Sequence, residues 1–149
     1  MRKLIRHFFS ANSHQPRQYE SALETKYVKS GLTLQEAAEI KEKIKTAFEH
    51  DKLYKNNDIG LNDLSRHICS DRYKISQVIN EYLSKNFYSL LSYYRIREAK
   101  DLLLSQPFLS VKAIMYEVGY SSKTSFYSAF KKETGLSPND FRNLSIYAS

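Results

Sequence analysis

The order of hydrophobic and polar residues repeats itself after residue 59. In each copy, three apolar residues follow one another at steps of three and four, which is the spacing of one face of an α-helix. These residues are Leu61, Leu64 and Ile68 in the first copy and Val111, Ile114 and Val118 in the second. A short polar break and a longer amphipathic segment follow each trio. A short helix, a tight turn and a longer helix indicate a helix-turn-helix unit, so the sequence predicts two of them.

The longer helix of each unit is predicted to begin at a residue that caps helices well. Asp71 and Ser122 each stand four residues before the first apolar position of the helix, Ile75 in one unit and Phe126 in the other. Their side-chain oxygens can accept hydrogen bonds from the unpaired N–H groups of a helix start. The apolar face continues through Val78, Ile79 and Leu83 in the first unit and through Ala129 and Phe130 in the second.

A single long helix is predicted between the two units. The segment FYSLLSYYRIREAKDLLLSQP, residues 87–107, has a broad apolar face, and Pro107 stops it. We expect this helix to begin just after Phe87 and to run for about four turns, roughly 25 Å at 1.5 Å per residue. Beyond the second unit, Ser137 and Pro138 are suited to the cap and first position of a terminal helix.

The segment before the repeat divides in two. Residues 1–33 are polar and basic and show no sustained periodicity, so we expect a flexible basic arm or linker. A lead-in helix follows, at whose start Thr33 and Glu36 are spaced to form a reciprocal capping box. The predicted fold is all-α. Its predicted parts are the arm (1–33), the lead-in helix (34–58) and a tandem helix-turn-helix domain (59–149), divided into a first unit (59–86), a linker helix (87–106) and a second unit (107–149).

The chain is basic, with a formal net charge of +7 over 149 residues and a pI of about 9.4. An excess of this sign favours a polyanionic partner, nucleic acid before an anionic membrane surface. No apolar run approaches the ~18 residues that a membrane-spanning helix needs. Cys69 is the one cysteine, and with His67 it forms a pair that lacks further metal ligands. We therefore expect no cofactor, and no phosphate-binding loop or nucleophile–base pair indicates an enzyme.

Three segments carry a resemblance to a known family: SQVINEYLSKNF, YYRIREAKDLLL and VGYSSKTSFYSAFKKETGLSPNDFR. Over about residues 59–143 the chain resembles the DNA-binding domain of AraC/XylS transcription regulators. The resemblance implies two helix-turn-helix subdomains joined by a rigid helix, each placing one helix in the major groove on the same face of DNA. The chain departs from the family pattern at Cys69, Ser84 and Asn86, where glycine is common, at Ser70, where an apolar residue is usual, and at Met115, where a small residue is usual.

The resemblance also implies which side chains touch DNA, since the start of each longer helix would enter the groove. The base-contacting positions would be Arg72, Tyr73, Ser76 and Gln77 in the first unit and Lys123, Thr124, Tyr127 and Ser128 in the second. The candidates for phosphate contact are Lys74, Asn80, Ser122, Ser125 and Lys131. The alternative for any one of them is an ordinary solvated helix face. Arg95 and Arg142 match family positions, and either tie helices together or approach phosphate.

The expected partner is double-stranded DNA, in the cytoplasm and at the nucleoid. RNA polymerase is a further candidate partner. An upstream sensory region or a sensory partner is another, because residues 1–58 do not resemble a small-molecule-binding domain. A membrane tether would require a longer native chain before the basic start. The alternative function is a helical protein–protein interaction module whose basic faces dock an acidic partner.

Overall fold

The computed structural model describes residues 31–148, and from Leu32 onward these form one compact unit. The described part of the chain contains seven α-helices and no strand, which confirms the all-α prediction. The helices are α1 (Leu34–Glu49), α2 (Leu61–Ile68), α3 (Arg72–Gln77), α4 (Phe87–Ser105), α5 (Val111–Glu117), α6 (Lys123–Thr134) and α7 (Pro138–Ala148). A 3-10 turn, Leu53–Lys55, lies between α1 and α2, and a π-helical turn, Val78–Tyr82, continues α3. Most of the predicted basic arm lies outside the described residues.

Two hydrophobic cores form, and α4 contributes to both. The first half of α4 packs into a core with α1, α2 and α3, and its second half packs into a core with α5 and α6. The residues that α4 gives to the first core are Phe87, Leu90 and Leu91, and those that it gives to the second are Ile96, Ala99 and Leu103. At 19 residues, α4 is about 28 Å long. The predicted linker helix therefore also contributes buried residues to the core of each unit.

The lead-in helix α1 belongs to the first core. Its apolar stripe, predicted from sequence, is buried against α2 and the π-helical turn, with Ile44 and Phe48 almost completely enclosed. The Thr33 side chain accepts a hydrogen bond from the Glu36 N–H at 3.1 Å, as the capping box requires. The Glu36 carboxylate, however, pairs with Lys74 of α3 at 2.7 Å. α1 is thus held to the first helix-turn-helix unit by apolar packing and by an ion pair.

The caps predicted for α3, α6 and α7 are present, and Ser110 caps the start of α5. The side chains of Asp71, Ser110, Ser122 and Ser137 each accept a hydrogen bond from a backbone N–H of the following turn. The prediction for α4 was wrong by one residue. Phe87 is the first residue of the helix and not the residue before it, because the Asn86 side chain accepts from the Ser89 N–H at 2.8 Å.

The turns inside the two units use the same backbone geometry. Cys69 directly follows the last residue of α2, and Gly119 lies two residues after the end of α5. Both residues have positive φ, 51° and 100°. In each turn the following N–H reaches back five residues, from Ser70 to the Ser65 carbonyl and from Tyr120 to the Met115 carbonyl. Glycine adopts this conformation without steric cost, and Cys69 does so under strain. No helix among residues 31–148 is long and apolar enough to cross a membrane.

Candidate nucleic-acid interface

The recognition helix of the second unit, α6, has one buried and one exposed face. Phe126 and Phe130 are fully buried and lie edge to face, with ring centroids 5.9 Å apart. This anchor fixes the rotation of α6 about its own axis. The predicted base-contacting residues Lys123, Thr124 and Ser128 are all exposed on the other side of the helix.

Tyr127 is less accessible than the other predicted contacts of α6. Its ring is half-buried and packs edge-on against Phe126, with centroids 5.9 Å apart. Its hydroxyl accepts a hydrogen bond from the Asn139 side chain at 3.4 Å, and the Lys123 ammonium lies 5.2 Å from the ring centroid. Tyr127 therefore forms a rigid platform beneath Lys123, and its ring edge faces outward only in part.

A hollow of about 440 Å³ lies between α5 and the start of α6. It is lined by Val111, Lys112, Met115, Tyr116, Ser121, Lys123 and Tyr127. Three of these residues, Lys112, Tyr116 and Ser121, were not predicted from sequence to take part in the site. All three are exposed. The position of Lys112 in the first turn of α5 is the sequence signal that would have identified α5 as part of the site. The candidate interface of the second unit thus includes α5 as well as α6.

The predicted phosphate-contacting residues of the second unit lie along the edges of α6. The Ser122 hydroxyl accepts the Ser125 N–H at 3.3 Å, and both serines are exposed at the helix start. At a helix start the remaining N–H groups and the helix dipole favour anions. Lys131 is exposed in the last turns of α6. Ser122 and Ser125 at one end of α6 and Lys131 near the other are therefore placed so that both could contact a polyanion lying along the exposed face of the helix.

The recognition helix of the first unit is shorter. α3 ends as an α-helix at Gln77, and the chain continues with the wider π-helical turn, whereas the sequence predicted one continuous helix through Leu83. Arg72 and Tyr73 are exposed in its first turn, and the Arg72 guanidinium lies 5.3 Å from the centre of the Tyr73 ring. These two side chains form the outermost part of the first unit's predicted contact surface.

The other predicted contacts of the first unit already have partners within the protein. The Lys74 ammonium is paired with Glu36, and the Gln77 amide donates to the Glu81 carboxylate at 3.1 Å. The Asn80 amide donates to the Ser76 carbonyl at 2.8 Å and lies 3.4 Å from the Ser76 hydroxyl. Contact of these side chains with DNA would require them to exchange these partners. The two units therefore differ in how openly they present their polar groups.

Arg95 and Arg142 both tie segments of the backbone together. Arg142 of α7 donates to the carbonyls of Leu103 and Gln106, at 3.1 and 3.3 Å. Arg95 of α4 is buried and donates to the carbonyls of Tyr54 and Asn56. Burial lowers the pKa of Arg95 from its ordinary value, but a guanidinium stays charged in proteins. Of the two roles that the sequence left open, the structure shows the tying role for both arginines.

Residues 64–144, more than half of the chain, match a family model described as a helix-turn-helix domain. The match begins within α2 and runs through α4 into α7, and the curated relatives that the chain matches are named as regulators. The chain belongs to the AraC-type helix-turn-helix family. Members of this family are DNA-binding transcription regulators and not enzymes, as the sequence indicated.

Three proteins illustrate what the AraC-type chain is similar to. It is 34% identical over 76 residues to the xylose operon regulatory protein of Haemophilus influenzae, which is 51% of this chain and 19% of that protein. The C-terminal domain of AraT, a response regulator from Geobacillus stearothermophilus, is 28% identical with a TM-score of 0.62, covering 71% of this chain and 84% of that domain. The DNA-binding domain of AdpA, solved with a target DNA, is 19% identical with a TM-score of 0.61, over 70% and 90% of the two chains. The last similarity concerns the fold alone.

Two departures from the AraC-type pattern have a structural explanation. Cys69 and Ser84 stand where the family commonly has glycine, and both adopt the left-handed conformation, with φ of 51°. The left-handed conformation that glycine adopts most easily is therefore present at both positions although glycine is absent, whereas Asn86, a third such position, is extended with a φ of −94°. Met115, at a position where a small residue is usual, is buried and forms the floor of the hollow between α5 and α6.

Proposed function

We propose that the chain regulates transcription by binding a specific double-stranded DNA sequence, with α3 and α6 in neighbouring segments of the major groove. The duplicated unit carries this proposal, because each recognition helix has a buried apolar anchor and an outward polar face. Helix-turn-helix dimers read two half-sites about one DNA turn, ~34 Å, apart. Here one chain carries both units, and the AdpA domain with the same fold was solved on a target DNA.

In the second unit, α6 would supply the main base contacts. Lys123 can donate to a guanine edge, and Thr124 and Ser128 can exchange hydrogen bonds with bases or touch a thymine methyl group. Tyr127 would contribute its ring edge and would hold Lys123 in position. The exposure of these side chains and the fixed rotation of α6 support this assignment.

Phosphate contacts would position α6 in the groove without reading sequence. Ser122 and Ser125 at the helix start and Lys131 towards its end are the candidates predicted from sequence. Lys112 joins them, because it lines the same hollow as Lys123. A protein that neutralises phosphates with lysine and arginine loses affinity steeply as salt concentration rises.

In the first unit, contact would begin at Arg72 and Tyr73, which are the exposed residues of α3. Arg72 can donate to guanine or to a phosphate, and Gln77 can pair with adenine once it leaves Glu81. The remaining assignments to the first unit are a base contact for Ser76 and phosphate contacts for Lys74 and Asn80.

The chain spans only about a fifth of the length of the xylose operon regulator, so the proposal concerns its DNA-binding part. RNA polymerase and a sensory region or partner are the further interactions that we propose for the complete regulator. A cytoplasmic, nucleoid-associated location is part of the same proposal.

The test is selection of bound duplexes from random DNA by the purified 149-residue chain. We expect two conserved half-sites about one DNA turn apart. On the selected site, Tyr127→Ala should relax sequence preference, whereas Lys131→Ala should weaken all sequences alike and lower the salt slope by about 0.9. Lys45→Ala, at an exposed lysine of α1 with no proposed role, is the charge-matched control. Equal affinity for every duplex at physiological salt would overturn sequence-specific binding.

A further inference from the structure

The middle of α4 lies at the junction between the two helix-turn-helix units. Arg95 is positioned between Leu91, the last buried α4 residue of the first core, and Ile96, the first of the second core. Only 7% of its surface is exposed, and it is the one buried charged residue in the described part of the chain. A buried guanidinium needs hydrogen-bond partners, and these identify what the residue does.

Both acceptors of Arg95 belong to the segment that follows α1. Its Nε donates to the Tyr54 carbonyl at 2.8 Å, and one terminal nitrogen donates to the Asn56 carbonyl at 2.9 Å. The other side of the guanidinium lies 5.1 Å from the ring centre of Tyr120, in the turn of the second unit. Arg95 is thus hydrogen-bonded to the lead-in segment, whose Tyr54 packs in the first core, and is in contact with the second unit through an aromatic ring.

The lead-in segment and the second unit also touch each other directly at this junction. A side-chain carbon built on Gly119 would lie 2.5 Å from the Tyr54 carbonyl oxygen and 3.1 Å from the Lys55 carbonyl oxygen, so the two backbones are in close approach. The Lys55 ammonium pairs with Glu117 of α5 at 2.6 Å. We call Tyr54, Lys55, Arg95, Gly119 and Tyr120 the junction clamp.

The junction clamp gives the two units a second connection besides α4. A single helix joining two bodies allows them to twist and bend about it, whereas a second rigid contact removes that freedom. The planar guanidinium makes this contact directional, because its donors have a fixed geometry. The junction clamp therefore restrains the relative orientation of α3 and α6 within the protein alone.

We propose that Arg95 is a positioning residue, which fixes through the junction clamp the half-site spacing that the protein accepts on DNA. This inference rests on the proposed function, since spacing has a meaning only for two readers on one duplex. One added base pair separates the half-sites by about 3.4 Å more and rotates them by about 35°, because a turn of about 34 Å holds about 10 base pairs. Two recognition helices held in a fixed relative orientation cannot adjust to such a change in the DNA, whereas two that move independently can.

The DNA test compares the selected site with versions that carry one base pair more or fewer between the half-sites. We expect wild type to lose about tenfold in affinity for either change, comparable with one mismatched base pair, and Arg95→Met to lose less than about threefold. Arg95→Lys should fall between them, because an ammonium keeps the charge but not the fork of donors. Circular dichroism checks that each variant is folded.

Arg142→Met is the matched control. Arg142 also donates to two backbone carbonyls, but both of them lie at the end of α4, where Leu103 packs in the second core. Its loss should lower stability and leave the spacing penalty at the wild-type value. A general loss of stability would affect both variants alike, so only a positioning role separates Arg95 from Arg142.

A measurement without DNA separates this inference from the proposed function. Cys69 is exposed in the turn of the first unit, and Lys132 is exposed on α6, so Cys69 and Lys132→Cys can carry a pair of spin labels. We expect a narrow distance distribution in the otherwise unchanged chain and a broader one with Arg95→Met. If both the distribution and the spacing penalty stay unchanged in folded Arg95→Met, the inference is wrong; if Arg95→Met does not fold, the same result with Arg95→Lys overturns it. A narrow distribution without sequence-specific binding would instead refute the proposed function alone.

Discussion

Replacement of Gly119 by alanine tests how closely the turn of the second unit approaches the lead-in segment at Tyr54. Gly119 has a φ of +100°, and a Cβ at this position would lie 2.5 Å from the Tyr54 carbonyl oxygen and 2.9 Å from Arg95 Nε. Carbon and oxygen atoms that are not bonded do not approach to such a distance, so the backbone around Tyr54 must move. Movement of that carbonyl in turn lengthens its 2.8 Å hydrogen bond from Arg95.

Two contributions set the size of the effect. A left-handed conformation costs an alanine about 1–2 kcal/mol relative to glycine. Loss of a hydrogen bond from a charged donor costs about 1.5–3 kcal/mol more. We therefore expect Gly119→Ala to lower the free energy of unfolding by about 2.5–5 kcal/mol, a large part of the 5–15 kcal/mol typical of a domain.

Gly135→Ala is the matched control, because it changes the same residue type at the end of a helix. Gly135 has a φ of +78°, but no atom lies within 4 Å of a Cβ built there. This variant bears the conformational cost of about 1–2 kcal/mol alone. Both alanines reduce the entropy of the unfolded chain equally, so this effect cancels in the comparison.

Urea unfolding followed by circular dichroism gives both free energies. The difference between the two variants should be about 1.5–3 kcal/mol, the contribution of the hydrogen bond that the clash disturbs. Gly119→Ala and Gly135→Ala with unfolding free energies within about 0.5 kcal/mol of each other would show that the backbones do not meet as described.

Three further variants test other parts of the structure. Cys69→Gly should stabilise the chain by about 0.5–1 kcal/mol in the same urea assay, because glycine relieves the left-handed strain but adds entropy to the unfolded state. A loss of stability would contradict the strained turn. Glu36→Gln should release Lys74 and raise DNA affinity, with a salt slope steeper by about 0.9 in a titration at several salt concentrations. Glu39→Gln, another glutamate of α1, removes the same charge without touching Lys74, so an equal gain from both variants would exclude this explanation.

The sequence predicted the helices and their order because the signals for them are local. The caps at Asp71, Ser110, Ser122 and Ser137 involve a side chain and a backbone N–H only two or three residues away. The apolar spacing of α4 likewise required no knowledge of its partners. The end of α3 was predicted less well, since apolar spacing through Leu83 does not distinguish an α-helix from the wider π-helical turn that follows Gln77.

The contacts that arrange the two units could not be predicted from sequence. Arg95 binds carbonyls about forty positions earlier in the chain. Every residue type has a backbone carbonyl, so the sequence does not indicate which residue supplies the acceptor. Glu36 was assigned to a capping box by its spacing from Thr33, but Lys74 competes for its carboxylate across the fold. The exposed faces of α3 and α6 were therefore predictable, whereas the partners that restrain the side chains of α3 were not.

The difference between the two recognition helices gives the junction clamp its importance. α6 presents exposed polar residues, whereas Lys74 and Gln77 of α3 must first leave Glu36 and Glu81. In the proposed complex, a fixed junction would hold α3 at its half-site at a high effective concentration once α6 is bound, which would offset the cost of exchanging these partners. With a loose junction the same exchange would compete with a search over many orientations. Arg95→Met should therefore weaken contacts of the first half-site more than those of the second, which footprinting of the two half-sites can resolve.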